Sequence, residues 1–202
     1  MKIMGIPVGM IQENCYIAYG EESSQALIVD PGDWADRLIE LLTEKKLTPV
    51  AILLTHGHFD HIGGVEALRE HYKIPVYATK AEQEVLQNTA MSMAGFTLKT
   101  DEIVSDGQEL LLGGMKVKVL ETPGHTPGGC CYYFPEEGAL FSGDTLFCES
   151  VGRTDFPGGN MSKLVRGIRE KLMTLPEDVT VYPGHMEETT IGHEKIYNPF
   201  LQ

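Results

Sequence analysis

Residues 54–64 read LTHGHFDHIGG, a stretch that packs three histidines and an aspartate into the six positions 56–61. It follows the apolar run VAILLT at 50–55 and precedes Gly63 and Gly64. A short continuous apolar run reads as a strand covered on both faces. The glycines permit a tight turn and close approach of backbone. His56, His58, Asp60 and His61 are thereby placed at a strand end, where α/β folds hold their ligands. Imidazole and carboxylate donors without a thiolate suit a borderline cation such as zinc, in a catalytic rather than a structural setting.

Four donors so closely spaced crowd one ion but can serve two side by side. Three further donors follow strand-like runs and sit beside glycine: His125 in TPGHTPGG, Asp144 in FSGDTLF and His185 in YPGHMEE. Seven donors for two ions allow three each and one shared. An aspartate can be shared, because its two oxygens can each meet one cation. His71 and His193 lack this context and read as ordinary polar residues.

The rest of the chain supplies a frame. CYIAYG at 15–20 and QALIVDPG at 25–32 predict a hairpin with an acidic turn, EESS, between them. Asp33 is placed to cap a helix whose inner face carries Trp34, Leu38, Leu41 and Leu42. Pro49 opens the strand before the histidine motif, and a helix over 62–71 turns Val65, Leu68 and Tyr72 inward. IPVYAT predicts another strand and KAEQEVLQ a short helix. Residues 88–101 read as a flap or as a loop packed over a site. QELLLGGMKVKVLET predicts a hairpin around Gly113 and Gly114, and CCYYF and GALFSGD two strands joined at PEEG. A helix over 161–173 carries Leu164, Val165, Ile168 and Leu172 on one stripe. VTVYPGH is a last strand, and a short helix precedes Asn198. These patterns repeat in two comparable halves within a single domain, 1–202. An α/β arrangement of two face-to-face sheets with helices outside would bury them.

Composition narrows the function classes. The chain has 202 residues, 42% hydrophobic and 22% charged, with a formal net charge of −13. No basic block is available to neutralise a phosphate backbone, so no nucleic-acid partner is expected. The acidic balance disfavours an anionic membrane, and no apolar run is long enough to span one. The N-terminus is broken by Gly5, Pro7 and Gly9 and lacks the apolar core of a signal peptide; the expected address is the cytoplasm. Cys15, Cys130, Cys131 and Cys148 form no CxxC pair and read as reduced, mostly buried thiols.

THGHFDH, TPGHTPGG, SGDTLF and YPGH resemble, in that order, the motifs of the metallo-β-lactamase superfamily, across nearly the whole chain. The resemblance implies a four-layer αββα sandwich with the metal site at one edge between the sheets. It implies that His56, His58 and His125 hold one divalent ion, that Asp60, His61 and His185 hold a second, and that Asp144 bridges them. Asp144 stands where zinc β-lactamases generally carry cysteine. GRTDFPGG (152–159) and TTIGHEKIYNPFL (189–201) are more specific, and resemble a short bacterial subgroup of the glyoxalase II, or hydroxyacylglutathione hydrolase, group that lacks the C-terminal helical domain. Arg153 falls near that group's basic glutathione contact, while Asp155 and Glu187 stand where it carries tyrosines. Arg153 reads equally as a substrate contact and as half of a salt bridge with Asp155.

The resemblance implies a small-molecule acyl thioester such as S-lactoylglutathione as substrate, attacked by a hydroxide bridging two zinc ions, with iron or manganese also suited. Asp60 takes the catalytic role of orienting that hydroxide. A mononuclear iron persulfide dioxygenase using His56, His125 and Asp144 is the alternative enzyme; a lactonase has no specific support, and a metal-binding sensor is the non-catalytic alternative.

Overall fold

Along β3 (Gln25–Val29), Ala26 and Ile28 face one way and Leu27 and Val29 the other, and all four are buried. β9 (Cys130–Phe134) behaves alike: Cys130, Tyr132 and Phe134 face one core, Cys131 and Tyr133 another. Side chains alternate across a strand with period two, so strands apolar on both faces must lie between two other layers. The computed structural model, which describes residues 1–21 and 23–202, builds those layers as a four-layer αββα sandwich.

One sheet runs in chain order: β1 (Lys2–Val8), β2 (Glu13–Tyr19), β3, β4 (Thr48–Leu53), β5 (Val76–Thr79) and β6 (Glu102–Val104). β1, β2 and β3 pair antiparallel, and β3 through β6 pair parallel. The other sheet contains β7 (Glu109–Leu112), β8 (Met115–Glu121), β9, β10 (Ala139–Gly143), β13 (Thr180–Pro183) and β14 (Thr189–Thr190), with β10 and β13 parallel. A two-stranded ribbon, β11 (Leu146–Phe147) and β12 (Ser150–Val151), leaves its edge.

Three apolar layers follow. Between the sheets, Leu27, Val29, Leu53, Val117, Val119, Tyr132 and Phe141 interleave. Outside the first sheet pack α1 (Ala35–Glu44), through Leu38 and Leu42, and α3 (Val65–Tyr72), through Val65 and Leu68. Outside the second pack α6 (Met161–Gly167), continued by a π-helical turn (Ile168–Leu172), and α7 (Ile191–Tyr197), through Leu164, Ile168, Leu172 and Ile191. Each fully buried Leu or Ile contributes about 1.5–3 kcal/mol by leaving water.

Most expected elements stand where their patterns placed them, including both hairpins and the short C-terminal helix. The turn of the first hairpin contains Glu22, which lies outside the described residues. Several details differ. Asp33 does not cap α1 in the usual way: Trp34 takes a left-handed backbone (φ 52°), so the Asp33 carboxylate reaches only the Trp34 N–H, and Trp34 is 39% exposed. The helix expected over 62–71 is two pieces, α2 (Phe59–Ile62) and α3, because the chain breaks at Gly63 and Gly64 to pass Gly32 and Pro31. Residues 88–101 contain α5 (Thr89–Ser92), and Ala94 and Leu98 are packed into the outer core. Cys148 is only half-buried, while the other three thiols are buried. β1, β6, β11, β12 and β14 have no counterpart in the sequence reading. β1 is half-exposed and carries Gly5 and Pro7, and the others are three residues or fewer. Among the described residues, no helix is long and apolar enough to cross a membrane.

Candidate metal centre

All seven expected donors converge at one edge of the sandwich. His56 and His58 follow β4, and Asp60 and His61 lie in α2. His125 follows β8, Asp144 follows β10 and His185 follows β13. The two sheets are tied at this edge. Asn14 N–H donates to the Gly184 carbonyl (2.7 Å), Tyr16 Oη–H to the Pro183 carbonyl (2.8 Å), and Cys130 N–H to the Thr55 carbonyl (2.9 Å).

The donors fall into two groups. One nitrogen each of His56, His58 and His125 lie within 4.8 Å of one another, and so do ligand atoms of Asp60, His61 and His185. Asp144 faces both: Oδ2 is 3.5 Å from His125 Nε2, and Oδ1 is 3.5 Å from His61 Nε2. Asp60 Oδ2 is 3.2 Å from His185 Nε2 and 3.6 Å from His61 Nε2.

Tautomers follow from the outer hydrogen bonds. His125 Nδ1–H donates to the Arg153 carbonyl (2.7 Å) and His61 Nδ1–H to Asp30 Oδ2 (3.0 Å). Thr55 Oγ1–H donates to Asp30 Oδ2 (2.5 Å), so the Thr55 oxygen is left to accept from His56 Nδ1–H (3.1 Å). The Nε2 lone pairs of all three rings are therefore turned inward. His56 Nε2, His58 Nε2, His61 Nε2 and Asp144 Oδ1 are buried with no hydrogen-bond partner. Buried polar atoms rarely go unpaired, and converging lone pairs and carboxylate oxygens repel unless cations lie among them. The donor set therefore fits two divalent ions.

Burial, then the neighbouring imidazoles, hold His56 well below the ordinary histidine range, and burial with His125 brings His58 down to about 4. Burial also lowers His125. Burial, the largest single influence, would raise Asp144 and Asp60, but the surrounding imidazoles, His61, His125 and His185 for Asp144 and His185 with His61 for Asp60, together keep both low. Near neutral pH, His56, His58 and His125 are thus uncharged and both carboxylates ionised, as metal ligation requires.

Three supporting residues escaped the sequence reading. Asp30 ends β3, accepts from Thr55 N–H (2.8 Å) and orients both His56, through Thr55, and His61. Its signal was present, since it ends a strand and precedes Pro31 and Gly32 as the other donors adjoin glycine. Glu13 is fully buried, 3.6 Å from His61 Nδ1, with both oxygens unpartnered, and burial pushes its carboxyl well above the usual range. Glu82, at the start of α4 (Lys80–Leu86), is fully buried. It accepts from Gly57 N–H (2.7 Å), Thr126 Oγ1–H (2.8 Å) and Gly128 N–H (3.0 Å). One carboxylate thus clamps the His56–His58 loop to the His125 loop. Burial pushes it up to about 7, against the pull of those donors. Nothing in KAEQEVLQ distinguishes Glu82 from the solvent-facing glutamates nearby.

Arg153 lines the cleft above the donors, but its guanidinium is held by Asp155 (2.7 and 2.6 Å) and lies 4.1 Å from the Phe156 ring centroid. His71 meets the Tyr72 ring edge-on, outside the centre. His193 contacts Glu149 (3.0 Å) and lies near Cys148 and Glu194. The Glu194 carboxylate is already occupied by Thr189, Asn198 and the Glu149 N–H, so this second group reads as structural.

The family model described as "Metallo-beta-lactamase superfamily" matches residues 8–185. The chain is 42% identical to "Probable metallo-hydrolase YqgX" of Bacillus subtilis, covering 100% of this chain and 98% of that one. It is 38% identical to "Hydroxyacylglutathione hydrolase GloC" of Haemophilus influenzae, with the same coverage. Among solved structures, BLEG-1 B3 metallo-beta-lactamase superposes with a TM-score of 0.93 at 42% identity, covering 99% of both chains. TTHA1623, in a di-iron-bound form, gives 0.88 at 36% identity, covering 98% of this chain and all of that one. ETHE1 from Myxococcus xanthus gives 0.84 at 31% identity, covering 98% and 84%.

Proposed function

Because the chain belongs to the metallo-beta-lactamase superfamily, we propose that it is a binuclear metal-dependent hydrolase of the glyoxalase II kind, cleaving S-lactoylglutathione or a related acyl thioester. The observation that carries this reading is the pair of three-donor groups with Asp144 facing both. On it, His56, His58 and His125 would hold one ion and Asp60, His61 and His185 the other, with Asp144 available to both. Zinc is the first candidate; iron and manganese accept the same N/O set, and TTHA1623 holds two irons. The likeness to the hydroxyacylglutathione hydrolase of Haemophilus influenzae supports the thioester.

Two such ions, when bound, acidify water towards neutral pH and polarise a carbonyl oxygen. The chain's own residues do the rest. Asp60 borders the cleft and is ionised, so it accepts a hydrogen bond from the attacking water and fixes its direction. Asp30 and Thr55 hold His61 and His56 in the ligating tautomer. Arg153 forms part of the cleft wall towards the thiol portion of the substrate. A thiolate is a good leaving group, so no separate protein acid is required.

Metal content and turnover of S-lactoylglutathione or another thioester, measured on one preparation, test the reading; two metals per chain with turnover are expected. Asp144→Ala should lose metal and turnover together, and a variant that kept two metals at full rate would end the bridging assignment. The likeness to ETHE1 sustains a second reading, a mononuclear iron dioxygenase acting on a persulfide through His56, His125 and Asp144. One iron per chain with oxygen uptake on glutathione persulfide would install it instead.

A further inference from the structure

The cleft over the donors, about 520 Å³, does not end at them. It shares Ile11, Phe59, Asp60 and Met93 with a second groove of about 340 Å³ that runs on past Ala94 and Phe96. The two form one trough with Asp60 on the wall of both, so the metal centre lies between the second groove and the Arg153 wall. Its walls are apolar and open: Ile11 is 52% exposed, Phe59 43% and Phe96 42%. Apolar side chains gathered around a polar centre mark a ligand surface. Met93 adds an unbranched, adaptable side chain.

Charge points the same way. No lysine or arginine lines the second groove, and its one carboxylate besides Asp60 is Asp33. The cleft's single cation, Arg153, is spent on Asp155. With a net charge of −13, no side-chain cation along the trough is left free to pair with a substrate's carboxylates. At about 30 Å³ per water-sized group, the second groove accommodates on the order of ten such groups.

We propose that this groove binds the acyl chain of the substrate, so that the preferred substrate is an ester or thioester of an apolar, medium-length acyl group. The polar wall at Arg153 and Asp155 is left to the thiol side. The proposal rests on the hydrolase reading above and specifies its substrate class.

The test uses metal-loaded protein and thioesters of uncharged N-acetylcysteamine carrying acetyl, butyryl, hexanoyl and octanoyl groups, with S-lactoylglutathione alongside. kcat/KM should rise about 2-fold per added methylene, roughly half the gain of complete burial. Octanoate should bind more tightly than acetate by calorimetry, in step with that rise. Phe96→Asp should flatten the slope and cut the octanoyl rate about 10-fold at unchanged metal content. Leu111→Asp, exposed on β7 away from the trough, should keep the slope. Cleavage with a flat slope, faster turnover of S-lactoylglutathione than of the octanoyl ester, or a slope that survives Phe96→Asp overturns the groove assignment and leaves the hydrolase reading standing. Cleavage of no thioester or ester by protein holding two metals ends the hydrolase reading and the substrate claim with it.

Discussion

Replacing Glu82 by Gln perturbs the metal centre without touching a donor. The native carboxylate accepts from Gly57 N–H through Oε1 and from Thr126 Oγ1–H and Gly128 N–H through Oε2. Glutamine keeps the shape but has one acceptor oxygen. Its cheaper orientation leaves that oxygen on Thr126 and Gly128 and turns the amide N–H₂ against the Gly57 N–H, so one buried bond becomes a donor–donor contact. Stranding a buried donor costs about 1–3 kcal/mol, less than the roughly 5–15 kcal/mol that holds a domain together; the fold survives. Gly57 has little freedom to turn away, because Leu86 leaves no room even for a Cβ there and it stands between His56 and His58. Partners that orient ligands are worth about 10–100-fold in metal affinity. The variant should therefore bind one of its two ions about 10–100-fold more weakly and leave the Asp60, His61 and His185 site within about 3-fold. Competitive chelator titration, with cobalt(II) spectra to distinguish the sites, reads both constants. Two unchanged affinities, or two that fall equally, would refute the clamp.

Other expectations follow from the same geometry. In metal-free protein, His58 protonates near 4 rather than 6.5 because it is buried beside His125. The unfolded chain takes that proton first, so the stability is fully present above pH 6.5 and is lost as pH falls towards 4, by up to about 3 kcal/mol; melting curves of chelated wild type and His58→Gln should differ in that window, and parallel profiles would contradict it. Gly128→Ala would set a Cβ 2.2 Å from Glu82 N and 2.6 Å from Thr79 Oγ1, forcing α4 off the His125 loop. A loss of about 3 kcal/mol or more in denaturant unfolding is expected, and a neutral substitution would show that the seam gives. Arg153 and Asp155 form an exposed pair whose attraction water and salt screen, so it adds little to stability. Arg153→Ala should leave Tm nearly unchanged and move KM for a neutral thioester less than about 3-fold; a large rise in KM for an anionic thioester would instead show a free substrate contact.

The histidine motif and its glycine-flanked partners were legible because a donor's chemistry is local: residue type, strand end and turn stand within six residues of one another. Continuous apolar runs likewise marked β3 and β9, and helical apolar spacing α1 and α6, since each pattern is imposed by the layers its element must face. Folding decided what depends on residues far apart in the chain. Glu82 is an ordinary carboxylate in sequence and Asp30 carries only a strand-end signal; β3 lying beside β4, and α4 lying against the His125 loop, turn them into supports for imidazoles 26 and 43 positions away, counted from Asp30 to His56 and from Glu82 to His125. The same holds for Arg153. Its sequence context allowed a substrate contact and a salt bridge with Asp155 equally, and the folded loop pairs it with Asp155. Short strands such as β11, β12 and β14 carry too few residues to leave a pattern and exist because a neighbouring backbone is there to pair with. A side chain's type restricts which bonds it can make, but the field and the partners that select among them belong to chain segments brought together only when the sandwich closes.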